Sequence, residues 1–460
     1  MPLPCFRTRA ALVLLAFHVL GAPLTPVRAQ HDGRMWGRAV TRDGDIHEGF
    51  IHVRAARSSG SWADVLLASR EIPEEHYRDW TDATRGGRSH TRVLELKGHR
   101  ISWVEKHPAF VGPSRVGVRF GHIAELTFDD EGRPTATIRS RHGTEPAPGD
   151  TVTRHSGGEV RIESFWRGAE VWVDKGDGSA KLRGRDIEQV EFGPAPAGRV
   201  PASLRLYGTV EDKLGRSFTG FVTWDLREIL ESHFLVGFWE DVPGLANPWR
   251  SDEYLRSFRF ADIRSLERTP CFARVILKSD SVVELCNEPL EPDPEPVQIS
   301  DPALGLVEVE WHLVRVLRFE RAPGTPGYDA FDGGRPLSGT VVTSEGEEIA
   351  GRIRWDADEE WSRDLLQGSS DGVELSIEFG NIAHIERKEP GGARVTLRDG
   401  RSFHLTGGND VDEDNRGIFI FSAAVEEPAG GRSVAERRYV AWEDFREARF
   451  HLPDDPGSGW

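Results

Sequence analysis

The densest group of oxygen ligands in this chain is NDVDEDNRG, Asn409 to Gly417, in which Asp410, Asp412 and Asp414 alternate as carboxylates do in calcium loops. Calcium takes about six to eight oxygens from carboxylates, carbonyls and water, so three alternating acids supply the beginning of such a site. The pattern departs from an EF-hand at two points. Asn415 stands where that loop needs glycine, and Phe421 where it needs a bidentate glutamate. The same residues suit an Asx-rich loop that caps its own backbone ahead of a strand at 418–421. Calcium is the one cofactor the residues suggest, and the ion-free loop stands beside it.

Other residue types that do chemistry carry weaker patterns. Gly368-Ser369-Ser370-Asp371-Gly372 spells the G-x-S-x-G of hydrolases, but that elbow needs a buried strand before its serine and a helix after it, and this stretch is a polar turn. His47-Glu48 with His52 resembles a zinc motif only in letters, because five residues along a strand place two imidazoles on opposite faces. No catalytic or cofactor-binding residue is assigned. Cys271 and Cys286 are the only cysteines beyond residue 29 and are candidates for a disulfide. With Ser279-Asp280 as a two-residue turn, Cys286 would face Ala273 and Cys271 would lie one rung diagonal, a gap that a small bulge near Pro270 would close. Of the fourteen tryptophans, Trp224, Trp311, Trp355 and Trp442 recur at equivalent places and read as core. Trp62, Trp80, Trp103, Trp239, Trp249 and Trp361 lie in excursions and are the better contact candidates.

The elements that would position these residues form a repeat. Gly339, Gly346 and Gly351 recur with the same steps as Gly208, Gly215 and Gly220, and as Gly37, Gly44 and Gly49. Each set reads as a hairpin with its middle glycine in a polar turn and a strand after it whose inward residues are Ile353 and Trp355, Val222 and Trp224, or Ile51 and Val53. Apolar residues then step by three: Phe379, Ile382 and Ile385; Phe260, Ile263 and Leu266; Phe120, Ile123 and Leu126. A flat strand steps by two, so this spacing predicts one 3₁₀ turn between two short strands. A second hairpin and a second three-residue step follow, at Trp442, Trp311 and Gly184. Every large repeat thus holds two smaller units, each a hairpin, an excursion and a strand–turn–strand ending.

The G…G…G-x-[IV]-x-W hairpin and the F-x-x-I-x-x-I ending resemble those of SH3-like or Sm-like small barrels. The strings SIEFGNIAHIER and NDVDEDNRGIFI resemble an uncharacterised family of exported bacterial proteins. The resemblance implies an all-β protein of three tandem repeats, each a pair of small five-stranded β-barrels, and no particular activity. The alternative is a six-bladed β-propeller, suited by six units and by two Trp-Asp dipeptides. The repeats are expected at 30–193, divergent and swollen by an insertion at 54–115, at 204–321 and at 336–451, with a tail at 452–460. The Pro/Gly-rich linkers at 193–203 and 321–336 predict separable modules, and the acidic stretch 287–302 is a second insertion.

Residues 1–29 read as a signal peptide: Arg7 and Arg9 precede an apolar run from Ala10 to Leu20, and Val27-Arg28-Ala29 offers small residues for cleavage. The run is too short to span a bilayer, so no membrane span is expected and the protein is placed in a periplasm or outside the cell. Removal of that segment takes three arginines and no acid, leaving 55 basic against 75 acidic residues. Such a surface repels phosphate, which argues against nucleic acid as a partner. The expected function is non-catalytic binding or scaffolding in the bacterial cell envelope, with an envelope protein or glycan as partner. The rival from another class is an envelope hydrolase with an unrecognised site.

Overall fold

The computed structural model describes residues 33–55, 57–70, 73–84, 89–96, 99–106, 114–139, 159–161, 168–239, 255–286, 294–324, 326–389, 391–422 and 437–451. The expected signal peptide, the tail and Trp249 lie outside them, as do the side chains of Trp103 and Trp239. The protein is all-β, built from antiparallel sheets, with one α-helix among the described residues, Glu74–Thr84.

Three repeated glycines give each copy its hairpin. The first and third face each other across it, Gly37 with Gly49, Gly208 with Gly220 and Gly339 with Gly351. A side chain at any of them would run into a backbone carbonyl of the next strand, that of Glu191, Arg318 or Arg449 on one side and of Asp174, Ser300 or Phe421 on the other. The middle glycine takes the positive φ of the turn, as at Gly215. The three-residue steps are single 3₁₀ turns at Phe120–His122, Phe260–Asp262 and Phe379–Asn381, and again at Gly184–Asp186, Trp311–Leu313 and Trp442–Asp444. Each buries its first residue and joins two strands.

Strand pairing departs from the expected order of units. In the second repeat, the hairpin Tyr207–Asp212 and Ser217–Thr223 does not pair with the strand that follows it, Phe234–Trp239. Its second strand pairs with Val297–Asp301, which continues into Gly305–Val309, and its first with Val314–Phe319. The strands between, Phe234–Trp239, Leu255–Arg259, Ile263–Arg268, Phe272–Leu277 and Val282–Cys286, make a second five-stranded unit. One unit is therefore nested inside the other, and Ile263–Arg268 of the inner unit pairs with Val314–Phe319, the last strand of the outer one, to join them. The first and third repeats follow the same plan, through Ile123–Phe128 with Ile187–Gly193 and Ile382–Arg387 with Phe445–Phe450.

Among the described residues no sheet closes into a barrel. The edge that would have to close the outer unit of the second repeat, Gly305–Val309, pairs over its whole length with Val373–Glu378 of the third. That pairing makes one twelve-stranded path through two repeats, unlike the separate four-stranded blades of a propeller.

One apolar core runs through the second and third repeats and holds Trp224, Trp311, Trp355 and Trp442, all buried. At about 1.5–3 kcal/mol for each large side chain removed from water, this shared core dominates their stability. A second core fills the first repeat and takes in Tyr328 and Phe331 from 321–336. The expectation of sparsely contacting linkers fails there: Tyr328 donates to the Ile123 carbonyl at 3.1 Å, and the Gly333 amide donates to His122 Nδ1 at 3.1 Å. Buried Arg119 pairs at 2.8 Å with Glu378, whose side chain is 12 % exposed, and ties the first repeat to the third.

A disulfide joins Cys271 and Cys286, whose Cα atoms lie 4.8 Å apart. The hairpin register differs from the two-residue reading. Asp280 takes positive φ in a longer turn in which its amide donates to the Leu277 carbonyl, so Cys286 faces Phe272 and not Ala273.

Candidate ligand cleft between the first and second repeats

The hairpin strand Ile46–Arg54 turns Ile51 and Val53 into the core of the first repeat, and its alternation puts His52 and Phe50, itself buried beside Trp36, on the face that lines a cleft. Glu170–Asp174 lies beside it, placing Trp172 opposite His52 and Asp174 opposite Phe50. Ser179–Arg183 adds Lys181 next to Trp172, its Nζ 4.9 Å from the indole centroid. Arg34 enters before the first strand and lies 5.9 Å over the Phe50 ring. The linker brings Ser203, and the second repeat brings Arg227, Glu228, Leu230 and His233. Apart from Lys181, these groups line a cleft of about 580 Å³.

The matching outer face is filled in the other two repeats. In the second, Arg205 occupies the place of Arg34, also 5.9 Å over a phenylalanine, Phe221. Asp64 of the first repeat sits on it, with Arg205 Nε 3.2 Å from Oδ2 and Nη2 3.1 Å from Oδ1, and Ser300 Oγ donates to the same Oδ1 at 2.8 Å. In the third, the helix Glu74–Thr84 covers the face. Trp80 packs on Ala357 and Phe419, and Arg354 donates to Asp79 at 3.0 Å and to Glu360 at 2.8 Å. The helix follows from local sequence: Pro73 precedes it, Glu74 and Glu75 occupy the first turn, Glu74 pairs with Arg78 four residues on, and His76 and Trp80 share a buried face.

The residue that decides the contrast is His233. Asp64, His233 and Asp364 stand at equivalent places, each accepting the amide four residues earlier, from Gly60, Ile229 and Glu360. Each also offers its carbonyl to the first residue of the 3₁₀ turn, Phe120, Phe260 or Phe379. Asp64 caps its turn and still reaches Arg205. His233 caps its turn and brings no carboxylate to Arg34.

Arg34 is accordingly a buried cation, 2 % exposed, whose one side-chain hydrogen bond among the described residues runs from Nη1 to the Ser203 carbonyl at 2.6 Å. Burial lowers its pKa to about 10; Asp174 is the acid that most opposes the shift, yet no ion pair joins the two. The oxygens of Asp174 already accept the Gly176 and Ala202 amides at 2.9 and 2.7 Å. Among the described residues, Arg34 Nε, His52 Nε2, Ser58 Oγ, Trp172 Nε1 and Glu228 Oε2 are buried without hydrogen-bond partners. Five such atoms at one cleft are unusual, because a buried polar group without a partner costs about 1–3 kcal/mol. Burial, with Arg34 next, holds His52 well below the usual histidine range, and burial, with Arg205 and Arg34 next, takes His233 down to about 4. Both rings are neutral near pH 7. Burial, with Asp225 next, raises the Glu228 carboxyl to about 7.

Residues singled out by sequence fall elsewhere. Asp410 is buried in the third repeat, where its Oδ2 accepts the Gln367 amide at 2.6 Å, and it lies with Asp356 and Glu359 in a group whose carboxylate oxygens are within 4.8 Å of one another. Asp412 accepts the Asp414 amide at 2.9 Å within its own loop, and Asp414 is exposed. The cation of this cluster is Arg416, its Nη1 2.7 Å from Asp356 Oδ2 and 3.5 Å from Asp358 Oδ1. Ser370 ends a strand before the tight turn at Asp371 and Gly372, and Arg216 binds its carbonyl and hydroxyl at 2.9 and 3.1 Å. Trp62 and Trp80 are buried, and Trp361 packs against Arg363. A second cavity, of about 460 Å³, lies beside Phe234 and Asp262 and gathers fewer titratable groups.

Sequence reasoning missed Arg34, Ser58, Trp172, Glu228 and His233, and weighed His52 only against His47. The signal was present in part in the repeat: aligned on the glycines, Arg34 matches Arg205, and His233 stands thirteen residues after Gly220 as Asp364 does after Gly351, while Asp64 falls fifteen after Gly49. Compared with models of known protein families, with curated proteins and with solved structures, the chain matches none.

Proposed function

We propose that this is a non-catalytic binding protein of the bacterial cell envelope, whose cleft between the first and second repeats receives a small polar ligand. The carrying observation is that the outer face plugged by Asp64 in one repeat and by the helix in another is left as a cleft in the first, whose lining residues carry five buried polar atoms without partners. Ligand groups would satisfy them. The signal-like residues 1–29 and the disulfide support an exported location, and no helix among the described residues is long and apolar enough to cross a membrane.

The hydrolase reading gains one observation, since Ser58, His52, His233 and Glu228 line the same cleft. Nucleophilic catalysis requires a hydrogen bond from serine to a base, and Ser58 Oγ and His52 Nε2 each lack a partner while His233 Nδ1 is taken by the Ile229 amide. Binding is therefore the better-supported reading. Residues 30–460 screened by thermal shift against envelope glycan fragments and small envelope metabolites should show at least one ligand that raises the unfolding midpoint. Ser58→Trp, which fills the cleft, should abolish that shift. A screen with no response, or a response indifferent to the filled cleft, would count against the reading.

A further inference from the structure

The protein carries its own template for what the cleft holds. Over Arg205, the Asp64 carboxylate accepts from Nε and from Nη2 and also takes the Ser300 hydroxyl, all out of water. Over Arg34, the same phenylalanine shelf and the same repeat position are present, but the capping residue is a neutral histidine. The donors Arg34 Nε and Trp172 Nε1 are left without acceptors. We propose that the cleft binds the carboxylate of a small acidic ligand, with Arg34 anchoring it as Arg205 anchors Asp64. The inference rests on the ligand-cleft reading above and adds the chemical class.

Three arguments select an anion over a neutral ligand. A buried guanidinium without a paired acid is costly, and a bound carboxylate removes that cost through charge-assisted hydrogen bonds. Arg34, Arg54 and Arg227 face the acids Asp174 and Glu228 at the cleft, with Arg54 paired to Glu170 at 3.8 Å, in a chain of net charge −17. A local positive site on an acidic molecule concentrates anions where the rest of the surface repels them. At about 580 Å³ the cleft has room for more than the carboxylate, and Ser58 and His52, each with an unpartnered polar atom, are among its lining residues.

Calorimetric titration of residues 30–460 with two matched pairs of probes tests the proposal: glucuronate against glucose, and N-acetylmuramate against N-acetylglucosamine. The acid of at least one pair is expected to bind tenfold or more tightly than its neutral partner. Arg34→Gln should bring that preference below about twofold, and Arg34→Lys should keep part of it. His233→Asp supplies a second, independent arm, because it restores the carboxylate found at position 64. It should pair with Arg34, raise the unfolding midpoint and block acid binding. Equal binding of acid and neutral probes, or a preference that survives Arg34→Gln, overturns the carboxylate assignment while the cleft remains a binding site. If no probe binds and His233→Asp leaves the midpoint unchanged, both the assignment and the ligand-cleft reading fall.

Discussion

Glu228 gives the cleft a titration near neutrality. Burial and Asp225 raise its carboxyl to about 7, against the pull of Arg227 and Arg54, while His52 and His233 stay neutral across the same range. As pH rises through 7 the cleft gains a negative charge, so acid probes should bind progressively more weakly up to pH 8.5. Glu228→Gln should flatten that profile, and an unchanged slope would remove Glu228 from the cleft's electrostatics. In the third repeat, burial raises Asp356 well above the usual carboxylate range and Asp410 to about 7; Arg416 opposes both shifts, while Asp358 adds to both. Acids with raised folded pKa values stabilise the fold below their unfolded values near 4, and that contribution is lost as pH rises through the folded values. Arg416→Gln removes the opposing cation and raises them further. Its cost should reach about 3–5 kcal/mol at pH 8 and be clearly smaller at pH 5, as measured by urea unfolding at the two pH values.

Among the elements, the helix Glu74–Thr84 acts as a plug for the third repeat. Trp80→Ala should cost about 3 kcal/mol and speed amide exchange in Ile418–Phe421, the strand that bears Phe419. Exchange unchanged there would mean that the helix merely rests on the sheet. Elements differ in how far sequence reveals them. The hairpins and the six 3₁₀ turns that end the small units were legible because each rests on residues within about ten positions: glycines where strands crowd, and apolar residues stepping by three. The exchange of partners between units was not. Ser217–Thr223 pairs with Val297–Asp301 and not with the nearer Phe234–Trp239, and both choices bury an alternating strand equally well. The cleft was hidden for a related reason. Its lining comes from segments more than a hundred residues apart, and its meaning lies in a difference between copies, histidine for aspartate, more than in any one motif. Asp410, Asp412 and Asp414 drew attention because they are adjacent in sequence, yet the acids nearest Asp410 in space include Asp356 and Glu359.

For the whole molecule, the pairing of Gly305–Val309 with Val373–Glu378 and the core continuous across both repeats predict one cooperative unfolding transition for residues 204–451. Calorimetry should give equal calorimetric and van't Hoff enthalpies for that transition, and limited proteolysis should not release 336–451 as a stable piece; two resolved transitions would show that the shared strand pair is dispensable. The nesting of units also imposes an order in time. The inner unit of the second repeat, from Phe234 to Cys286, is continuous in the chain and can form as soon as it exists. The outer hairpin Tyr207–Thr223 must hold open until Val297–Phe319 arrives, and the entropy of closing so long a loop falls once the inner unit has folded and drawn its ends together. Pulse-labelled hydrogen exchange during refolding should therefore protect Phe272–Leu277 before Tyr207–Asp212. During synthesis the same order would leave each early hairpin waiting, edges unpaired, for roughly a hundred residues of chain, which makes the first strands of every repeat the segments with most need of a chaperone.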